Sequence, residues 1–459
     1  MFSSSFSTRP RSRVVAIVLR LSTLNSAPLL AAPLLAAPLL AAPLVPTSAV
    51  AQPRATAADT TRIPEGPLRH AWVLARARSV SPRLRALRAG VDAARARIDA
   101  AAPLDDPMVM VRVWDLPADV VSRLPSQTMI MAQQSVPLSS IRARREDVER
   151  ANTREAEITR DAAILSVTAE ADAAYLALWE ALARVASASE LVQVTAQLVP
   201  LIEARLATGD VAASELSLAR AVVARAEADL GVAHANVDAR RAELRVLLDL
   251  PDGAQLPDPP ELVARGASLE LAALTREAMS SRAEVRYGAA ARARAGALDA
   301  VARASDGPVL TVGAGVMLMP HDGLGWMLET GLTLPIWRGA RDARREEAAA
   351  LVREADAGED AWRIAIIREV TGAYEACRAA RARHAALVSS VLPAYEARRA
   401  VTLASYAGAG SLVGVVDALR DLVAVRGEVV DALAELLRVE QELMHAIGRH
   451  EETLREVAR

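Results

Sequence analysis

The sequence predicts a mainly α-helical chain with a small β part, arranged as two tandem repeats of helix, two strands and long helical hairpin. Three observations predict it. Apolar residues recur every seven positions in two stretches offset by 199 residues. Four separate runs of about ten residues alternate in polarity. Hydrophobic residues make up 52% of the 459 but aromatics only 3%, so Ala carries much of the apolar content, which suits helices packed closely side by side.

What is missing narrows the function. All 54 basic residues are arginine, which removes a P-loop lysine, a Schiff-base lysine and an S-x-x-K acylating pair. Cys377 is the single cysteine, so there is no intrachain disulfide and no Cys-based metal site. The six histidines form no H-E-x-x-H, and His445 and His450 read as surface or packing residues. A net charge of −2 offers no field for nucleic acid. No cofactor, no metal site and no catalysis are expected.

Residues 1–51 read as a signal peptide. Arg9, Arg11, Arg13 and Arg20 precede an apolar run, Leu29 to Val45, and Ala49-Val50-Ala51 supplies a cleavage signal. A disordered tail would share this composition. Pro28, Pro33, Pro38 and Pro43 break the run, which argues against a spanning helix, and no cysteine follows to carry a lipid anchor. Beyond Ala51 no apolar window of spanning length is expected, so entry into a membrane would require strands.

The first repeat occupies 52–250, a Pro-rich connector 251–268, and the second repeat 269–459. The opening helix of each covers about Leu68 to Ala102 and Leu269 to Ala304. Strands follow at 108–116 and 127–136, then at 309–319 and 325–334. About Ser139 to Thr208 is a nearly uninterrupted helix, bent at Pro200 as its counterpart is at Pro393. The final helices carry Leu216, Val223, Leu230, Val237 and Leu244, and 199 residues on, Val415, Leu422, Val429, Leu436 and Leu443. A sustained seven-residue spacing marks helices that supercoil on neighbours. Gly209-Asp210 and Gly408-Ala409-Gly410-Ser411 close the two hairpins at their tips.

Ordinary amphipathic hairpins on a soluble core would show the same strand pattern. The export signal, and the lack of other sheet to join, favour lipid. Four strands cannot close a barrel, and open edges cannot sit in lipid, so several chains must share one. One strand phase holds Met108, Met110, Arg112, Met129, Met131, Met317, Met319, Met327 and Glu329. Arginine on the lipid face costs about 2–4 kcal/mol at the midplane, so this phase should face water. Methionine there serves as flexible filler; its thioethers are also soft ligands, but no His or Cys accompanies them.

Ser81-Pro82-Arg83-Leu84 with Ala93-Ala94-Arg95-Ala96-Arg97, Asp106-Pro107-Met108, Gln134 with Pro137-Leu138, and Thr333-Leu334-Pro335-Ile336 form an ordered set. In that set the chain resembles the TolC-type outer-membrane efflux channels, with the strand pair closest to the heavy-metal efflux branch. The resemblance implies a homotrimer in outer-membrane lipid of a Gram-negative bacterium. Its twelve-stranded β-barrel would continue into a periplasmic α-helical barrel. The partners it implies are a periplasmic adaptor (membrane fusion) protein and an inner-membrane pump of the resistance–nodulation–division type. It implies docking at Gly209, Asp210, Gly408, Gly410 and Ser411, and a tunnel constriction involving Glu215 and Asp417, with Gly414 where another acid would stand. The competing reading is a periplasmic coiled-coil adaptor or scaffold without a pore, which normally carries one hairpin per chain.

Overall fold

The computed structural model describes residues 62–114, 127–264, 270–319, 323–406, 412–449 and 455–456. The leader expected at 1–51, the second tip at Gly408, Gly410 and Ser411, and His450 lie outside the described residues.

The opening helix expected over Leu68 to Ala102 is two helices, α1 (His70–Val80) and α2 (Pro82–Ala101). Pro82 has no amide to continue α1 but suits the first turn of α2. Ser81 caps that turn by accepting from the Leu84 amide at 3.3 Å. The second unit breaks at the matching place without a proline, into α6 (Leu271–Ser281) and α7 (Ala283–Ala304). There Arg282 is extended and buried. Its guanidinium meets Glu284 at 2.7 Å and Glu369 at 2.8 Å and donates to the Ala446 carbonyl at 3.0 Å. A buried arginine needs this many acceptors to offset lost hydration.

The long helix of the first unit is α3 (Ile141–Ala196) and α4 (Leu198–Ala207), stepping at Gln197 just before Pro200. At 1.5 Å per residue it runs about 100 Å. Thr153, Thr168 and Thr195 keep their hydroxyls satisfied by donating four residues back along it. It is followed by α5 (Ala213–Leu247). In the second unit α8 (Gly339–Ala386) passes through a π-helical turn, Leu387–Val391, into α9 (Leu392–Tyr406), and then α10 (Leu412–Ala446). The π turn directly precedes Pro393, which has no amide to bond back. The bounds of α5 and α10 differ by 199 at both ends, the offset of the heptads.

One expectation fails. Within Ile141–Ala207 lies a stretch long and apolar enough, by length and composition, to cross a membrane. Its Ala, Val and Leu residues are spread around the helix, which packs along α2, α5, α7 and α10. Only 17% of that stretch is buried within the chain, although the helix as a whole packs on its neighbours.

Three apolar clusters hold the helices. Leu68, Leu74, Tyr175, Leu178, Leu244 and Leu248 join α1, α3 and α5. Leu274, Ile366, Val370, Leu436 and Leu443 join α6, α8 and α10. Ile202, Val222, Tyr406, Val415 and Leu419 join α4, α5, α9 and α10 near the described tip. Cys377 is buried in the second cluster, and burial pushes its thiol up, so it is an apolar filler.

The strands are β1 (Met108–Trp114), β2 (Gln127–Pro137), β4 (Val309–Met319) and β5 (Gly323–Thr333). They form one antiparallel sheet in the order β1-β2-β4-β5. A two-stranded ladder, β3 (Leu262–Val263) with β6 (Arg455–Glu456), ties the connector to the C-terminal segment. At the β2–β4 seam Gly315 lies opposite Met131. A Cβ at Gly315 would stand 2.8 Å from Met131 Cα and press on the Ile130 carbonyl oxygen, which is backbone and cannot turn away. Gly315→Ala is therefore expected to cost about 1–3 kcal/mol by overpacking. Gly331→Ala, whose Cβ would meet only Thr311 at 3.8 Å, is expected to be neutral. Heat stability of the assembled protein on semi-native gels distinguishes the two.

Candidate functional site: a two-faced sheet, a hairpin tip and a buried clamp

Strand register sorts every residue of the sheet onto one of two faces. Val109 pairs with Ala132, Val111 with Ile130 and Val113 with Thr128. Ile130 in turn pairs with Val316 and Thr128 with Leu318, and those two with Trp326 and Leu324. This face is apolar and exposed: Val111 is 60%, Leu328 74% and Trp326 86% accessible. The other face pairs Met110 with Met131, Arg112 with Met129, Met129 with Met317, and Gly315 with Met327. All seven strand methionines thus share a face with Arg112, Gln133, Thr311 and Glu329, the phase that alternation predicts.

Polar contacts run across this second face. Gln133 Nε2 donates to Glu329 Oε2 at 3.3 Å, and Arg112 Nη2 lies 3.4 Å from Met110 Sδ. The Arg112 guanidinium also sits 5.7 Å over the Trp114 ring. Met129 and Met131 are 2% and 1% exposed, whereas Met108, at the edge, is open. Met129 and Met131 on β2 are thus buried, Met110, Met317, Met319 and Met327 are half-buried, and only Met108 is open.

At the described tip, Gly209 has φ +81°, the left-handed conformation that ends a helix. Its amide bonds to Leu206 O at 3.0 Å and the Asp210 amide to Arg205 O at 2.9 Å, a Schellman closure. Thr208 Oγ1 donates to Asp210 Oδ2 at 2.7 Å. Arg205 crosses to the second unit, donating to the Tyr406 carbonyl at 3.1 Å with its guanidinium 4.6 Å over the Tyr406 ring. Glu215 is half-buried in the first turn of α5, and Asp417 is exposed on α10.

The sequence gives no warning of a third cluster. Asp172 on α3 is buried and held by the Nε2 atoms of His70 on α1 and His445 on α10, and by Gln441 Nε2 at 3.2 Å. His445 Nε2 stands 2.7 Å from Oδ2, close enough to stabilise the charge without a linear hydrogen bond. Tyr175 packs its ring on His70 and donates to Leu68 O at 2.9 Å. Burial raises the pKa of Asp172, but the contacts from His445 and His70 outweigh it and hold the carboxyl below the ordinary aspartate range. His445, expected on the surface or in packing, is a clamp between the two units. No group of three or more metal-ligating side chains is placed to hold an ion among the described residues.

Long helical hairpins that carry a small antiparallel sheet, apolar on its exposed face, define a class of fold: that of outer-membrane channels. Residues 274–449 match the outer membrane efflux protein family. No curated protein matches the chain. Among solved structures, CusC is matched at TM-score 0.70 and 19% identity over 83% of this chain and 92% of that one. The outer membrane protein VceC from Vibrio cholerae gives 0.67 and 18%, over 82% and 95%. The open state of the Neisseria gonorrhoeae MtrE outer membrane channel gives 0.69 and 17%, over 83% and 89%. At these identities the likeness is one of fold. The family match covers residues 274–449, within the second repeat.

Proposed function

We propose that the chain is the outer-membrane channel of a tripartite efflux system, a passive exit duct without catalysis of its own. The observation that carries this is the sheet. It exposes an apolar face, and both its edges, β1 and β5, are unpaired among the described residues. Neighbouring strands alternate in direction, so β5 of one copy can continue antiparallel into β1 of the next. Three copies, as the family resemblance implies, give twelve strands and no open edge. The tandem-repeat reading, with units at 52–250 and 269–459, is supported by elements α6 to α10 following the order of α1 to α5.

The methionine face is the proposed lumen wall, the helical hairpins the proposed periplasmic duct, and Glu215 and Asp417 its proposed constriction. Cysteine at Met110 or Met317 is expected to react with water-soluble thiol reagents, and cysteine at Val111 or Leu318 is not; reversed labelling would overturn the assignment of faces. Heavy-metal cations are the cargo this wall could bind through thioethers. Unchanged copper and silver tolerance after replacing all seven methionines by leucine would remove that cargo and leave the duct.

The tips are the proposed contact with the adaptor and, through it, a resistance–nodulation–division pump. Bulky substitutions at Asp210 and Ser411 are expected to leave trimers in the membrane and to abolish efflux. Unchanged resistance in a complemented deletion strain would place docking elsewhere.

A further inference from the structure

Where β5 leaves the sheet for α8, a cavity of 570 Å³ opens, lined by Asp306, Pro335, Ile336, Arg338, Arg341, Asp342 and Arg345. Three guanidiniums face two carboxylates in it, and one of those carboxylates is occupied. Asp306, from the turn after α7, pairs with Arg345 and has Arg341 Nε at 3.9 Å. Arg341 is steered into place by donating to the Trp337 carbonyl at 3.0 Å. Arg338 has no carboxylate partner among the described residues, and neither has Arg344 beside Arg345.

The same corner is apolar on its outer side. Leu334, Ile336 and Trp337 are 60%, 66% and 80% exposed. Leu334 and Ile336 keep the even-numbered phase of the apolar face just beyond the end of β5, with Trp337 exposed beside them. An eleven-residue strand such as β5 spans an apolar band of about 25 Å when tilted as barrel strands are. Leu334 to Trp337 therefore leave the hydrocarbon at its boundary, where tryptophan prefers to sit. Arginines one helical turn further on stand at the depth of lipid phosphates.

We propose that this cavity seats the phosphate of an anionic phospholipid headgroup, one per chain, in the periplasm-facing leaflet. Arg338 and Arg341 take the phosphate oxygens, Arg344, which does not line the cavity, adds positive charge from the position beside Arg345, and Ile336 and Trp337 lie along the acyl chain. Asp306 holds Arg345 and Arg341 forward rather than competing for the ligand. Arginine's planar fork suits phosphate, and basic pockets beside spanning elements are where anionic headgroups bind. The inference rests on the membrane reading above.

The test is native mass spectrometry of the detergent-purified trimer with added phosphatidylglycerol, phosphatidylethanolamine or inorganic phosphate. Up to three phosphatidylglycerol molecules are expected per trimer, in preference to phosphatidylethanolamine. R338Q/R344Q removes two guanidiniums that have no carboxylate partner among the described residues, and is expected to weaken retention about tenfold or more. R353Q, on an exposed part of α8, serves as the control and should retain lipid. Equal retention by the double variant, equal retention of both lipids by the wild type, or displacement of phosphatidylglycerol by millimolar phosphate overturns the proposal. A chain that never trimerises in membranes overturns the channel reading itself, a separate outcome.

Discussion

Arginine at Val111 or Leu328 is expected to abolish membrane insertion of the proposed channel, whereas arginine at Met110 is expected to be tolerated. Val111 and Leu328 lie on the exposed apolar face, at mid-strand in β1 and β5. A guanidinium near the bilayer midplane costs about 2–4 kcal/mol, and a threefold assembly would incur it three times. The total of roughly 6–12 kcal/mol is comparable to the whole stability of an ordinary domain. Met110 lies on the opposite face and already has the Arg112 guanidinium 3.4 Å from its sulfur. The check is fractionation followed by urea washing of membranes: V111R and L328R chains should be lost from the membrane pellet and M110R chains kept. If all three insert equally, the sheet does not meet lipid through this face.

Much of this was legible in the sequence because the signals are periodic. Alternation located all four strands, with β4 at 309–319 as expected and β1 starting at Met108 as expected, residues 115 and 116 lying outside the described residues. It also put every strand methionine on the face that the register confirms. Heptads at one offset located α5 and α10. In α10 the spacing marks buried residues, including Val415, Leu422, Leu436 and Leu443. In α5 it does so only at Val237 and Leu244, because Ala219, Val222 and Ala226 take the interior positions nearer the tip.

What escaped has no local signature. The break at Ser81-Pro82 could have been read from a serine before a proline, a cap followed by a first-turn residue. The equivalent break at Arg282 could not, since its cause is a guanidinium reaching Ala446, 164 residues away. The clamp on Asp172 draws His70 from 102 residues upstream and Gln441 from 269 downstream. No spacing rule joins residues that only the packing of α1, α3 and α10 brings together.

That clamp sets the second large effect. Asp172→Ala is expected to destabilise the helical region by about 3–5 kcal/mol, the usual loss when one partner of a buried charged cluster is removed. The polar ends of His70, His445 and Gln441 would be left facing an emptied, buried site between the two units. Asp172→Asn keeps the shape and one carbonyl acceptor, so its cost should be smaller. The pH dependence separates charge from shape. The Asp172 carboxyl is held below its ordinary range in the folded chain, so folding favours the ionised form. Its contribution is fully present above the ordinary aspartate range and is lost as pH falls through the lowered folded value. Wild-type stability should therefore fall in that acid window, and Asp172→Asn, with no proton to take up, should show a shallower acid arm. Urea midpoints followed by helical circular dichroism from pH 7 to pH 3 measure both curves. Parallel curves would mean that the carboxylate charge adds nothing at this junction and that the histidines are held by packing alone.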